Sequence, residues 1–257
     1  MPTVDVNGLP VAFPYPTPYP VQVDFMRTVV TSLQGADNAL LESPTGTGKT
    51  LCLLCSVLAW QEAVRARLQL AAAGPVTGNT LAASIDARVF GPSAKGSLEK
   101  VPLIVYASRT HSQLAQVVRE LRKTVYRPRI VTLGSREQAC RHEKVQAIRP
   151  TSVQSAICSR LVKKRQCRHE QQVGTAVSQF AKLSVSDNTF SGQSAPIMDM
   201  EEMGKFAAEH GACPYYFARK VAANDGVDLL LLPYNYLVDH RAAGLNIDLE
   251  EAVVIFD

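Results

Sequence analysis

Eight consecutive residues carry the most specific chemistry in this chain: Ser43, Pro44, Thr45, Gly46, Thr47, Gly48, Lys49 and Thr50. A glycine-rich turn between a strand and a helix points backbone N–H groups inward and lies at the positive end of the helix, an arrangement that binds phosphates. Gly46 and Gly48 permit conformations and a close approach that a Cβ obstructs. Lys49 is expected to reach the β- and γ-phosphates of a nucleotide, and Thr50 to offer its hydroxyl to Mg²⁺. The common pattern G-x-x-x-x-G-K-[ST] begins with glycine, whereas Ser43 stands there in this chain; the strand, loop and helix context supports nucleotide binding nonetheless. A second candidate is Asp257, which follows the apolar run Val253, Val254, Ile255, Phe256. An acid at the end of such a strand holds Mg²⁺ directly or through water. No residue follows Asp257 to orient an attacking water, so the chain is expected to be a fragment.

The six cysteines fall into two sets. Cys52 and Cys55 lie among apolar residues in the helix after the loop and are expected in the core. Cys140, Cys158, Cys167 and Cys213, separated by 17, 8 and 45 residues, sit outside the apolar runs. Four thiolates satisfy a tetrahedral zinc ion or a cubane iron–sulfur cluster. The pairs Cys140/His142 and Cys167/His169 keep a mixed Cys/His zinc site open. The spacing matches neither zinc-ribbon pairs nor ferredoxin runs, and four unrelated cysteines remain an alternative.

These cysteines coincide with the charge. Residues 136–170 hold nine Lys/Arg against three Glu, a net +6, so the rest of a chain with formal charge +4 sums to −2. Such a segment suits a polyanion partner or, more blandly, a solvated helix face. With 257 residues and 46% apolar content the chain has enough material for a sizeable core, which excludes a disordered tail. It has no apolar run near the roughly 18 residues that a spanning helix needs, and its N-terminus lacks the basic and apolar regions of a secretory signal. A soluble, intracellular protein with reduced cysteines is expected, without a membrane partner.

Apolar runs and periodicity show which elements must position these groups. Residues 21–33 read as helix, 38–42 (NALLE) as a short buried strand before the phosphate loop, and 49–70 as helix. Residues 71–100, rich in Ala, Gly, Ser and Pro, read as a flexible surface insertion. A strand (102–107), a helix (111–126) and a strand (129–133) follow, then the basic cysteine-bearing segment, then two apolar strands at 228–232 and 252–256. Nearly continuous apolar strands alternating with helices indicate a doubly wound α/β domain with a parallel sheet, interrupted by a small appended domain.

Taken together, several segments resemble the iron–sulfur superfamily 2 DNA helicases related to the xeroderma pigmentosum group D protein. They are Phe13-Pro14-Tyr15 with Tyr19, Gln22, Phe25 and Met26; LLESPTGTGKTLCLLC; IVYASRTHSQLAQVVREL; LGSREQAC; CPYYFAR; LLPYNYLVD; and VVIFD. They span nearly the whole chain in the family's order. The resemblance implies an ATP-dependent 5′→3′ DNA helicase with a RecA-like motor domain, acting in repair, recombination and telomere maintenance in the nucleus. It implies that Cys140, Cys158, Cys167 and Cys213 ligate a [4Fe–4S] cluster, with His142 and His169 only its neighbours. Gln22 corresponds to the glutamine that reads adenine. Ser108, Arg109 and Thr110 correspond to a motif gripping the DNA backbone, for which hydroxyl and guanidinium groups are suitable donors. Asp257 corresponds to the first residue of the Asp-Glu-Ala-His box.

On this basis residues 1–134 are the first part of the motor domain, 135–213 the cluster domain and 214–257 its continuation. Single strands and duplex junctions are the expected partners, gripped by backbone contacts that weaken with salt. The family's arch and second motor domain have no counterpart in these residues. Two rivals stand beside this expectation: a nucleotide- and DNA-binding module without turnover, and a phosphate-loop nucleoside triphosphatase whose cysteines bind zinc.

Overall fold

The structure, a computed structural model, describes residues 1–72, 79–91, 98–183, 196–224, 226–238 and 247–257. It divides into two units, Met1–Pro102 with Arg119–Tyr126, and Leu103–Val118 with Arg127–Asp257.

The first unit opens with an antiparallel hairpin, β1 (Thr3–Val6) and β2 (Leu9–Ala12). The hairpin turn is fastened to α1 (Pro20–Gly35) by Asn7 Nδ2, which donates to Thr31 Oγ1 at 2.7 Å and to the Arg27 carbonyl at 3.2 Å. Helix α1 starts with proline at its first turn, where the missing N–H costs nothing, and buries Gln22, Met26, Val29, Val30 and Gln34 on one face. Helix α2 (Lys49–Ala72) is buried almost all round from Leu51 to Gln61, as expected of a helix apolar on every side. Cys52 and Cys55 lie there, 1% and 0% exposed, as expected of core thiols.

Two expectations change in this unit. Residues 38–42 form no strand; Leu40 is fully exposed, because among the described residues no strand partners this segment, and an apolar run without a ladder partner gains nothing from extending. The stretch 71–100, expected to be a flexible insertion, contains α3 (Asn79–Phe90). Ile85 and Val89 of α3 are buried. Its last turn is held by Trp60 Nε1, which donates to the Val89 carbonyl at 2.8 Å, and by Gln34 Nε2, which donates to the Arg88 carbonyl at 3.0 Å. Residues 73–78 and 92–97 of that stretch lie outside the described residues.

The second unit is built on a four-stranded, wholly parallel sheet, so the chain has the expected mixed α/β architecture. Strand β3 (Ile104–Ser108) leads into α4 (His111–Arg122), whose residues from Arg119 onward are assigned to the first unit, and then to β4 (Ile130–Thr132). Short helices α5 (Arg136–Ala139) and α6 (Glu143–Gln146), α7 (Thr151–Lys163), and short α8 (Arg168–Gln171) carry the basic cysteine-bearing segment. Then come α9 (Val173–Leu183), α10 (Met200–Glu209) and α11 (Pro214–Ala222). The chain re-enters the sheet as β5 (Leu229–Pro233), makes the short helix α12 (Asn235–Val238), and ends on β6 (Val253–Phe256). Asp239, in one of the quoted motifs, lies outside the described residues.

The lateral order is β4-β5-β3-β6. Strands β3, β4 and β5 are buried at every position, whereas the edge strand β6 is partly exposed throughout. Burying each Ile, Leu or Val of such a strand contributes about 1.5–3 kcal/mol. Helices α9, α10 and α11 share a core with β4 and β5 in which Phe180, Phe206 and Phe217 meet at ring-centroid distances of 5.5, 5.5 and 5.7 Å. Asp228, buried just before β5, accepts from the Arg129 backbone N–H at 2.7 Å and pins the start of β4. Among the described residues no helix is long and apolar enough to cross a membrane.

Candidate functional site

The phosphate loop lies between α1 and α2 in the first unit. Gly46 and Gly48 have φ of +83° and +80°, the left-handed region where a Cβ is strained. Lys49 Nζ donates to the carbonyls of Ser43 at 2.8 Å and Pro44 at 3.0 Å, closing the loop on itself. Ser43 Oγ and Thr47 Oγ1 lie 2.7 Å apart, and Thr47 Oγ1 also donates to the Pro44 carbonyl. Lys49 and Thr50 open α2, a helix of 24 residues, where unpaired N–H groups and the helix dipole favour an anion.

Gln22, expected at the base of the nucleotide, is 8% exposed and reaches the loop itself. Its Nε2 donates to the Thr47 carbonyl at 2.9 Å, while its Oε1 accepts from the Tyr19 backbone N–H at 2.9 Å. Both ends of the amide therefore tie the first turn of α1 to the phosphate loop.

In the second unit the four cysteines come together. Cys140 ends α5, Cys158 lies in α7, Cys167 precedes α8 and Cys213 precedes α11. All four are free, 6–8% exposed, and line one cavity with His142, Leu161, His169 and Tyr216. Burial pushes the Cys140 thiol above its ordinary value and that of Cys213 up to about 11. The Cys213 backbone N–H donates to the His169 carbonyl at 2.8 Å, and His169 Nδ1 lies 3.1 Å from the Gly211 carbonyl, so one backbone bond and one imidazole contact fasten α8 to the segment entering α11. Tyr216 Oη is 4.0 Å from Cys158 Sγ and accepts from Arg136 Nη2 at 3.5 Å.

Among the described residues no three His, Cys, Asp or Glu side chains stand close enough to hold one ion. A tetrahedral zinc with Zn–S of about 2.3 Å draws its sulfurs to about 4 Å from one another, whereas a four-iron cube carries each thiolate on a different iron. Four buried thiols around one cavity, with no carboxylate in its wall, are the kind of donor set that a soft metal group takes.

Beside this cavity lies a cleft of about 630 Å³, lined by Gly134, Arg141, Met203, Lys205 and Tyr215 among others. The Arg219 guanidinium stacks on the Tyr215 ring at 3.8 Å and that of Arg136 lies over the same ring at 4.4 Å.

The remaining expected residues lie along the ends of β3 and β6. Ser108 is buried at the end of β3, and Arg109 and Thr110 are exposed before α4. Gln113, which sequence reasoning missed, gathers this turn: its Oε1 accepts from Ser108 Oγ at 3.1 Å, Thr110 N at 3.0 Å and Thr110 Oγ1 at 3.1 Å. The Gln113 backbone N–H returns a bond to Thr110 Oγ1 at 3.3 Å. The signal was in the sequence, since Thr110 to Gln113 has the T-x-x-Q spacing of a capping box. Asp257 is exposed beyond β6, and its Oδ2 accepts from Tyr106 Oη at 2.6 Å.

Comparison with known proteins gives the following. The DEAD_2 family model matches residues 106–257. Over its full length the chain is 43% identical to Regulator of telomere elongation helicase 1 of Mus musculus and covers 21% of that protein. It is likewise 39% identical to the Homo sapiens protein of that name, with 20% covered. It is 41% identical to the Oryza sativa subsp. japonica homolog, with 25% covered. The chain thus spans about a fifth to a quarter of the length of the curated relatives it matches. Among solved structures, "XPD_Helicase" is similar at TM-score 0.47 and 19% identity, covering 92% of this chain and 31% of that one. "Truncated XPD" is similar at TM-score 0.46 and 17% identity, covering 90% and 50%.

Proposed function

The chain belongs to the DEAD_2 family of helicases, and from that premise we propose that the whole protein is an ATP-driven DNA helicase that moves 5′→3′ along one strand. The observation that supports the ATP-driven part of this reading is the loop opening α2, with Gly46 and Gly48 at positive φ and Lys49 turned back onto it. In the proposed mechanism its backbone N–H groups and the α2 dipole hold the ATP phosphates, and Lys49 leaves the Ser43 and Pro44 carbonyls for the β- and γ-phosphates. Thr50 would offer a hydroxyl to Mg²⁺, and Asp257 is proposed separately as a carboxylate that would hold a divalent cation. Mg²⁺ when bound neutralises charge that builds on the phosphates. Gln22 holds the loop in register and releases one of its backbone bonds to read adenine. Hydrolysis then opens and closes the nucleotide cleft so that the strand advances.

Residues 135–213 are proposed as the cluster domain of this helicase. A [4Fe–4S] cluster held by Cys140, Cys158, Cys167 and Cys213 would cross-link four separate segments of this region. The basic side chains of this domain attract the DNA backbone, and Ser108, Arg109 and Thr110 grip phosphates at the end of β3. Work in telomere maintenance is proposed from the names of the relatives, and work in repair and recombination, in the nucleus, from the family resemblance of the motifs.

The test is strand displacement by the whole protein on duplexes with a 5′ or a 3′ single-stranded tail, with DNA-stimulated ATP hydrolysis measured alongside. Unwinding from the 5′ tail that Lys49→Ala abolishes is expected. Unwinding retained in Lys49→Ala, or hydrolysis indifferent to DNA, overturns the reading.

A further inference from the structure

We propose that Tyr106 is a positioning residue for a divalent cation at Asp257. Tyr106 sits in the middle of β3 and is 0% exposed. A phenylalanine would fill that place without a polar atom, whereas a buried phenol must find a hydrogen-bond partner or lose the free energy of its hydration. The Tyr106 hydroxyl donates to Asp257 Oδ2 at 2.6 Å, within the range of a charge-assisted O–H···O⁻ bond.

The main chain makes the arrangement tighter. The Asp257 backbone N–H donates to the carbonyl of Ala107, the neighbour of Tyr106, at 2.9 Å. In the parallel register Tyr106 stands opposite Ile255 and Ala107 opposite Phe256, so Asp257 is the first residue beyond the paired part of β6. Strand β3 holds Asp257 at two points, its backbone through Ala107 and its carboxylate through Tyr106. Oδ2 is committed to the phenol, and among the described residues no partner takes Oδ1, which is left for the cation or for a water the cation carries.

Mg²⁺ demands near-ideal octahedral geometry and takes only one or two carboxylates from a protein. A carboxylate already confined to one orientation loses less rotamer freedom on binding. The inference rests on Asp257 being a metal ligand, as proposed above, and names the side chain that orients it.

The experiment uses the whole protein and compares Tyr106→Phe, Asp257→Asn and the double variant. Tyr106→Phe removes one oxygen and keeps the ring. The Mg²⁺ concentration at half-maximal binding of a fluorescent ATP analogue should rise about tenfold or more, the range seen when the hydrogen-bond partner of a metal ligand is removed. Mn²⁺ affinity of the nucleotide complex, read by electron paramagnetic resonance, should fall by the same factor, with affinity for single-stranded DNA unchanged. In the Asp257→Asn background Tyr106→Phe should add nothing, since the two act as one unit. A midpoint that Asp257→Asn moves and Tyr106→Phe leaves in place overturns the positioning role alone. A midpoint that neither moves removes the metal role of Asp257 and this inference with it. A Tyr106→Phe shift that persists in full in the Asp257→Asn background overturns the inference, because the hydroxyl would then act through strand packing.

Discussion

Gln22 Nε2 donates to the Thr47 carbonyl at 2.9 Å, so the phosphate loop is fastened to the first turn of a helix that begins 29 residues before Lys49. The loop's shape therefore depends on a side chain outside the glycine-rich motif. A Cβ at Gly48 would come 3.0 Å from the same Nε2, which shows how closely the amide is packed against the loop.

Gln22→Ala should weaken ATP binding about tenfold, because a net hydrogen bond is worth about 0.5–1.5 kcal/mol and 1.4 kcal/mol is a factor of ten. Isothermal titration with ATP and Mg²⁺ checks this. An unchanged affinity would show that the loop holds its shape without the amide.

Cys158→Ser should abolish iron binding and expose the segment 135–213 to protease, while Cys52→Ala leaves iron content as it was. The contrast follows from position: Cys158 lines the cavity shared by four thiols, and Cys52 is in the core of α2. Iron and sulfide analysis of anaerobically purified protein is the measurement. Equal iron in both variants would refute the ligand assignment, and zinc in place of iron would favour the single-ion alternative.

Arg109 and Gln113 should separate by salt. Arg109→Ala removes one charge and should flatten the slope of log affinity for single-stranded DNA against log salt by about 0.7. Gln113→Ala releases Ser108 and Thr110 from a shared acceptor and costs the turn about 1 kcal/mol in lost hydrogen bonds; it should weaken DNA binding several-fold at every salt concentration with the slope unchanged. Fluorescence anisotropy across a salt series reads both. A steepened slope in either variant would contradict the assignment.

Alkaline pH should destabilise the first unit through its core thiols. Burial raises Cys52 from an ordinary 9.0 to about 11 and Cys55 to about 12. Below pH 9 both thiols are protonated whether the chain is folded or not. Between pH 9 and 11–12 the unfolded chain loses these protons while the folded one keeps them, so stability falls as pH rises. The melting temperature should drop through that window, and the drop should be smaller with Cys52 and Cys55 both replaced by alanine. Parallel curves for the two proteins would show that the thiols are not responsible.

How much was legible in the residues varies with the range of the interaction. Strands β3 and β5 follow from unbroken apolar runs, since a strand buried on both faces needs no polar alternation. The run at 38–42, apolar at Ala39, Leu40 and Leu41, forms no strand, because an extended segment is stabilised only by a neighbour to pair with. In 71–100 the abundance of Ala and Ser concealed α3, whose place is set by Trp60 and Gln34 reaching its last carbonyls.

The sequence by itself determined the phosphate loop, the buried helix α2 and the basic character of the cysteine-bearing segment. Each is encoded within a few neighbouring residues, through backbone conformation, helical period or charge. Only the tertiary structure decided the lateral order β4-β5-β3-β6, the cavity shared by Cys140, Cys158, Cys167 and Cys213, and the bond from Tyr106 to Asp257 across 151 residues of chain. Each of these joins groups remote in sequence, and local backbone preference does not choose among distant partners. Packing of the sheet and its helices makes that choice, by burying apolar faces and leaving each buried polar group within reach of one that can satisfy it.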